Sequence, residues 1–579
     1  MTEKTTEKTL TGIPSVDRVW MKYYPEEITQ LTVPECTLRE YMLQNCPGLD
    51  ISAIHYYGND IVWRTIFEQA DMVAKALRAF GFQEGDQIPV FIKTVPEFVF
   101  LLLAAEKIGA SLLCRDNTIP ENAGAIKKSN SKTIFAHTFL SKEEMASYQE
   151  AGAKYFVLLS PYNSAGCPDT IAPHNRKVVQ SLYPECAAVG EFVMSWNDFL
   201  KIGENFTGAV EAPADYNRPL FRAYTSGSTG PSKQVILSAR NMIAVLHQMC
   251  MYSVPSNERL TWLVTILPPC LIAVVVSIIL SPMVSGKLLI MDPFVEVDDI
   301  DLEIMHYKPN FWPQIPMFIE RLMLSKRIPD DYDMSHLKAA GAGCEAYNNC
   351  QIQRAQQFLH DHNCKVNYTT GYGQSEAGSS ATLPFSPYPV RDGNIGIPMP
   401  LNTIGIFVPG TQEELGYNTP GEICIAGPGN MLGYDDPVKT AKALQTHADG
   451  KVWVHTGDLG YINEDGVVFT MGRGNAQRYG GGHLCEITME NRLADARIPG
   501  ISDEFFLTVI DPEHPDSHVP YLYLILEDGY TIADVESAIL AALLPHERPV
   551  KMIQLSERPF FHFKTNRVGL KKDIMNQTI

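Results

Sequence analysis

Positive charge is scarce in this sequence: 47 Lys and Arg face 66 Asp and Glu over 579 residues, a formal net charge of −19. That balance disfavours nucleic acid or an anionic membrane as the main partner, although a local site can still oppose the global field and hold a small anion. The 12 cysteines include no Cys-x-x-Cys pair, which argues against a zinc ribbon and for reduced thiols rather than a disulfide frame. Long apolar runs are missing as well. The most apolar stretch, "CLIAVVVSIIL" (270–280) after Pro268-Pro269, falls short of the roughly 20 residues a membrane helix needs; a buried element beside a pocket is expected there. The polar N-terminus "MTEKTTEKTL" does not read as a secretory signal, so a cytoplasmic protein without a membrane span is expected. No short-period repeat and no low-complexity block interrupts the chain.

With 45% apolar and 20% charged residues, the composition is that of a globular protein, and its length predicts two or more domains. Apolar residues at helical spacing over 62–80 predict a helix stopped by Gly81. "QIPVFI", "PEFVFLLLAAEKIG" and "ASLLC" then read as strand, helix and strand, the alternation of a mostly parallel α/β layer. Helices are expected near 241–253 and 316–325. From 403 to 471 short β-like runs with frequent glycine predict a small β-rich subdomain. The expected fold is therefore α/β: a large N-terminal domain, 1–472, of parallel layers with that β-rich subdomain, followed by a small α+β C-terminal domain, 473–579, on a hinge.

"YTSGSTGPSK" (224–233) combines hydroxyls, glycines and a lysine, the ingredients of an anion cradle. Its spacing is not that of a Walker A loop, because Gly230 is followed by Pro231-Ser232-Lys233. Four further stretches follow in order. "GAGCEA" (341–346) allows close backbone approach to a flat ring. "TGYGQSEAG" (370–378) places an aromatic, Tyr372, before Ser375-Glu376, and a carboxylate oxygen suits Mg²⁺. "GEICIAGPGNMLGY" (421–434) and "HTGDLGYINEDGVVFTMGR" (455–473) complete the set, the last carrying Asp458 and Arg473; a carboxylate can accept both ribose hydroxyls and an arginine can bind phosphate.

Together these motifs resemble the adenylate-forming superfamily of acyl-CoA synthetases, peptide-synthetase adenylation domains and luciferase, over roughly residues 60–579. The resemblance implies that Thr225, Ser226, Gly227, Ser228, Thr229 and Lys233 line the ATP β- and γ-phosphates. It implies Gly343, Glu345 and Ala346 at the adenine edge with Tyr372 against its face. Ser375 would bind phosphate, Glu376 Mg²⁺, Asp458 the ribose, and Arg473 the ribose–phosphate side. The implied reaction joins a carboxylic acid to AMP and passes the acyl group to CoA. Its rivals are loading of a carrier-protein phosphopantetheine, and a nucleotide-binding homologue that has lost adenylation.

The second half of the family pattern is altered. The hinge position two after Arg473 is Asn475, the family Gly-x-Arg reads Gly482-His483-Leu484, and three glycines, 480–482, precede it. Near the C-terminus "FHFKTNRVGLKKD" has Lys564-Thr565 but no Gly-Lys. Arg567 is the nearest stand-in for that catalytic lysine, with Lys571 and Lys572 further away; arginine keeps the charge but is bulkier and differently hydrated. No acid lies in "ILPPCLIAVVVS" (266–277) to pair with a substrate ammonium, so an uncharged fatty or aromatic acyl group is expected, unless the run is simply a core helix. The acidic "VEVDDIDLEI" (295–304) is expected to be a solvated helix start, and His360, His362 and Cys364 an exposed helix end rather than a metal site.

Overall fold

A computed structural model describes residues 10–115, 119–166, 171–181, 192–225, 232–250, 258–385, 387–388, 390–474, 476–561 and 563–577. Helix Trp63–Phe80 buries Trp63, Ile66, Phe67, Ala70, Val73, Ala74 and Leu77 on one stripe and ends at Gly81. It packs on helix Pro96–Ile108, which is buried almost all round and starts with Pro96 in its first turn, where the missing N–H costs nothing. These helices cover an eight-stranded sheet. Its parallel part runs Val193–Ser195, Tyr155–Leu159, Thr133–His137, Gln87–Phe91, Ser111–Cys114 and Pro219–Tyr224; Gln234–Ser238 and Gly433–Tyr434 extend it antiparallel. A second sheet holds Thr261–Val264, Leu288–Met291, Ser52–Tyr56 and Asn59–Val62. The large unit is thus the expected α/β layering.

The β-rich region is an antiparallel sheet of Thr403–Phe407, Gly421–Ala426, Val452–Ile462 and Val468–Arg473, edged by Leu444–Thr446. Beyond Arg473, helices Glu486–Ala496, Ile532–Ala542 and Arg567–Gln577 surround strands Ile501–Ile510, His518–Leu526 and Lys551–Leu555. This small unit has apolar cores of its own, around Leu484, Met489, Phe506, Leu522 and Ile539 on one face and Phe505, Leu507 and Tyr523 on the other. It docks on the large unit through polar groups: Arg354 donates to the Ser502 carbonyl at 2.6 Å, Asn349 N–H to Asn491 at 2.8 Å, and Thr565 N–H to Glu345 at 3.0 Å. Asn475 lies outside the described residues. The three glycines 480–482 all have positive φ; Arg478 N–H donates to the Gly482 carbonyl at 3.0 Å, and its guanidinium caps the carbonyls of His546 and Arg548 within the small unit.

One sequence reading is corrected in part here. The acidic stretch is solvated only at its start, where Glu296 and Asp298 are exposed; beyond it Asp301 is 2% exposed and Glu303 0%. Asp301 accepts from Arg327 and Ser325, and Glu303 is held by His174 and Asn175 beside Asp292. The apolar run forms a seven-residue π-helix, Val274–Leu280, continued by Ser281–Val284, with every side chain buried. It is a core element whose one polar group early in the run, Ser277 Oγ, lies 2.6 Å from Ser379 Oγ. Ser379 takes φ +133°, a region unfavourable to any side chain and characteristic of functional turns. His360 is exposed and Cys364 buried at the end of helix Asn349–Asp361. Among the described residues, the group of metal-type ligands within mutual reach is instead Glu422, Cys424 and His455.

Candidate active site: a nucleotide cleft

Strands Pro219–Tyr224 and Gln234–Ser238 pair antiparallel, and the pairing continues one step past their ends. Thr225 N–H donates to the Lys233 carbonyl at 2.9 Å and Lys233 N–H to Thr225 Oγ1 at 3.2 Å. Ser226, Gly227, Ser228 and Thr229 lie outside the described residues. Lys233 Nζ sits 5.0 Å from the centroid of the Tyr434 ring, a cation–π contact that holds the ammonium at the loop's base. The Tyr434 hydroxyl donates to Glu376 Oε1 at 2.6 Å; burial and the Glu376 charge push that phenol far above its usual range, so it stays a donor. Lys233, Tyr434 and Glu376 therefore form one contact chain.

Glu376 lies in the 3₁₀ turn Ser375–Ala377, closed by Gly378 at φ +77°. Just before it, Gly373 faces Ser380 across a two-residue ladder, and a Cβ there would come within 1.9 Å of the Ser379 carbonyl oxygen. Only glycine fits that close approach. The Met431 N–H donates to the Glu376 carbonyl at 2.9 Å, tying the turn to the 427–434 segment.

Tyr372 brings in the third part. Its hydroxyl donates to Asp458 Oδ2 at 2.7 Å, while Arg473 Nε donates to Asp458 Oδ1 at 3.0 Å. Asp458 and Arg473 are cross-strand neighbours on Val452–Ile462 and Val468–Arg473, which explains why residues fifteen apart in sequence meet. Burial and the Asp458 carboxylate keep the Tyr372 phenol protonated. Burial alone would lower the Arg473 guanidinium, but Asp458 and Tyr372 outweigh it and raise it. The turn bearing Asp458 is fixed from behind: Gly457, at φ +72°, donates its N–H to Glu422 Oε1 at 3.0 Å, and Glu422 Oε2 is 3.1 Å from His455 Nδ1. These bonds satisfy the Glu422–Cys424–His455 group internally and make it a brace for the Asp458 turn.

Strands Ala340–Ala342 and Tyr368–Thr370 run parallel and deliver the two glycine-rich segments to the same place. A Cβ on Gly343 or Gly371 would meet nothing within 4 Å, so both border open space. Ala346 is half-buried on the same segment. Glu345 is engaged from across the domain boundary: its Oε2 accepts from Thr565 N–H, and Arg567 Nε lies 3.8 Å from its Oε1. Arg567 also contacts Glu486 Oε2 at 3.2 Å and Glu490 Oε1 at 3.0 Å, and donates to the Phe506 carbonyl. Only Asn566 separates strand Lys564–Thr565 from helix Arg567–Gln577, and Asn566 Oδ1 caps that helix at Gly569 N–H, 3.0 Å away. Lys571 bonds Glu486 at 3.2 Å.

This α/β fold, with the Lys233–Tyr434–Glu376 chain and an Asp458–Arg473 pair close enough for Glu376 to raise Arg473, has the make-up of an adenylate-forming enzyme. The pattern of the family described as AMP-binding enzyme matches residues 44–435, and the chain belongs to that family. It is 26% identical over 486 residues to a 4-coumarate–CoA ligase from Vanilla planifolia, covering 81% of each chain. Its fold is similar to that of an anthranilate CoA ligase in complex with anthranoyl-AMP, with TM-score 0.76 at 15% identity over 95% of this chain and 100% of that one. It is similar also to Bacillus subtilis o-succinylbenzoate CoA synthetase in complex with ATP and magnesium ion, with TM-score 0.69 at 17% identity over 92% of this chain and 99% of that one.

The structure thus joins Thr225 to Lys233, Lys233 through Tyr434 to Glu376 in the turn that begins at Ser375, and Tyr372 and Arg473 to Asp458, with Glu376 close enough to raise Arg473. Gly343 borders open space, and Glu345 and Arg567 lie together in a carboxylate cluster. Sequence reading passed over Tyr434 and Glu422. Both stand in the quoted glycine-rich stretch 421–434, but no local pattern distinguishes a partner of Glu376 or a brace of Gly457 from an ordinary strand residue.

Proposed function

We propose that the protein is an ATP- and Mg²⁺-dependent acid–CoA ligase that activates an aromatic or fatty acid as acyl-AMP. The observation that carries this reading is Asp458, held by Tyr372 and Arg473 beside the Lys233–Tyr434–Glu376 chain. Asp458 would accept the ribose hydroxyls, with Arg473 on the phosphate side. Thr225 and Lys233 would hold the β- and γ-phosphates. The hard oxygens of Glu376 and the nearby hydroxyls suit Mg²⁺, which when bound neutralises charge on the phosphate oxygens. The substrate carboxylate attacks the α-phosphorus, the bond to the bridging oxygen breaks, and its electron pair leaves with pyrophosphate. The protein's part is positioning and charge stabilisation. A thiol then attacks the acyl carbonyl and AMP departs; by the family resemblance, the unit 473–579 rotates about the segment after Arg473 between the two steps.

The acyl preference rests on the largely apolar, buried 274–284 element, whose Ser277 meets the Ser379 turn, and on the aromatic acids in the names of the similar ligases. A cytoplasmic setting is in keeping with the described cysteines, none of which is joined in a disulfide. Arg567 favours a second reading of the first step. Its guanidinium is committed to Glu345, Glu486 and Glu490, which fits an interdomain tether better than a phosphate ligand, and adenylation without the family lysine would be slow. Acid-dependent exchange of labelled pyrophosphate into ATP, over a panel including 4-coumarate, anthranilate and medium-chain fatty acids, tests the proposal. Exchange with one acid, followed by its CoA thioester, is the expected result. No exchange with any acid while ATP still binds would sink the ligase reading; thioester from supplied acyl-AMP would then show that only the second step survives. Transfer to a phosphopantetheine carrier but not CoA would select the carrier-loading rival.

A further inference from the structure

Arg115 follows strand Ser111–Cys114, whose parallel neighbour Pro219–Tyr224 is paired in register as Cys114 with Ala223. Arg115 and Tyr224 therefore emerge side by side at the carboxyl ends of two parallel strands, where α/β sheets bind their ligands. The Arg115 side chain is only 4% exposed. Its guanidinium lies 4.0 Å from the Tyr224 ring centroid, and one Nη reaches both Ser232 Oγ and Glu121 Oε1 at 3.0 Å. Its Nε has no hydrogen-bond partner among the described residues.

Tyr224 lies just outside the Thr225–Lys233 closure and Ser232 just inside it, so this buried cation touches both sides of the loop's base. Burying a guanidinium is costly unless an anion compensates it, and among the described residues its ion-pair partner, Glu121, is 44% exposed. Glu121 can surrender the guanidinium to an incoming anion without itself becoming a buried charge. Lys233 follows Ser232 on the same stem, and Lys128 adds further positive charge near Tyr224 and Arg115 while paired with Asp435 at 3.0 Å. Arg567, by contrast, is spent on carboxylates.

We propose that Arg115 is a second phosphate-side cation of the active site, binding the β- and γ-phosphates of ATP together with Lys233. The proposal rests on the nucleotide reading above. When the α-phosphorus is attacked and the electron pair leaves on pyrophosphate, the Arg115 N–H donors would stabilise the growing charge. The charge that the C-terminal unit does not deliver would then come from the large domain itself.

The test is calorimetric titration of the full chain with Mg–ATP, Mg–pyrophosphate and AMP. Arg115→Met should weaken ATP and pyrophosphate by about 10- to 100-fold, the range of a hydrogen bond to a charged group. AMP, which lacks both outer phosphates, should bind as before. Arg115→Lys should recover part of the loss. Glu121→Gln, which frees the guanidinium and disturbs no core, should tighten ATP by a few-fold relative to AMP, and it serves if Arg115→Met does not fold. An unchanged ATP-to-AMP ratio in Arg115→Met or, failing that, in Glu121→Gln overturns the proposal. So does equal weakening of AMP and ATP, which would make Arg115 a structural clamp of the loop stems. A wild-type chain that binds neither nucleotide would overturn the nucleotide reading and this proposal with it; AMP binding with an unchanged ratio overturns this proposal alone.

Discussion

Replacing Arg567 by methionine keeps most of the side chain's volume and removes one guanidinium from among Glu345, Glu486 and Glu490. Glu490 is 1% exposed on its side chain, Glu486 15% and Arg567 18%, so solvent can screen little of what is lost. Breaking a buried pair by deleting one partner costs about 3–5 kcal/mol. The lower end applies, because Lys571 remains on Glu486, and Phe506 N–H still donates to Glu490. An expected loss of about 3 kcal/mol should carry a pH signature. Burial pushes the Glu486 carboxyl up, but Arg567 and Lys571 outweigh it and hold it below its usual value. Burial dominates at Glu490 and raises it despite Arg567 and Arg558. Without Arg567 both rise, so the folded variant binds protons that the unfolded chain has released. Its deficit is then largest near pH 8 and shrinks toward pH 5 as the carboxyls protonate. The six tryptophans all precede residue 473, so fluorescence does not report on this unit. Native-state hydrogen exchange in Glu486–Ala496 and Ile501–Ile510 does. A loss below about 1 kcal/mol, or one that does not vary with pH, would refute a buried tether at Arg567.

Asp458→Asn removes the charge that both Tyr372 and Arg473 address; AMP affinity should fall by about 10- to 100-fold, read by calorimetry, with circular dichroism unchanged. Retained affinity would remove Asp458 from the ribose site. The buried Asp292–Glu303 pair predicts stability that falls with rising pH. Burial and the Glu303 charge raise Asp292, and burial pushes Glu303 up to about 8, with Tyr57, Tyr307, His174 and Asn175 as their partners. The folded chain therefore holds protons that the unfolded chain has lost, and this stabilisation disappears as pH climbs through about 8. Thermal unfolding between pH 6 and 9 should show that slope, and Glu303→Gln should flatten it. A wild-type slope that survives the substitution would assign it to other groups.

The two helices over the main sheet were legible because periodicity and caps are local: the stripe of Trp63–Phe80 and the proline opening Pro96–Ile108 are written in adjacent residues. So were the motif segments, since a loop rich in glycine and hydroxyls has few structural uses. The acidic run 295–304 misled for the opposite reason. Charge at a helix start is normally solvated, and nothing nearby in sequence announces that Arg327 and His174 will cover it.

Taken by itself, the sequence determined the fold class, the family and the motif segments that mark it, because each depends on spacing within a few residues. Tertiary structure alone decided the partnerships: Tyr434 with Glu376, Tyr372 with Asp458, Arg115 across the stems of the phosphate-type loop, and Arg567 drawn into three carboxylates. Charged side chains find their partners through long-range packing, and their energies depend on how much water the fold leaves around them. A stand-in arginine at 567 and an unremarked one at 115 therefore look alike in sequence. Only burial and neighbours distinguish the tether from the proposed phosphate ligand.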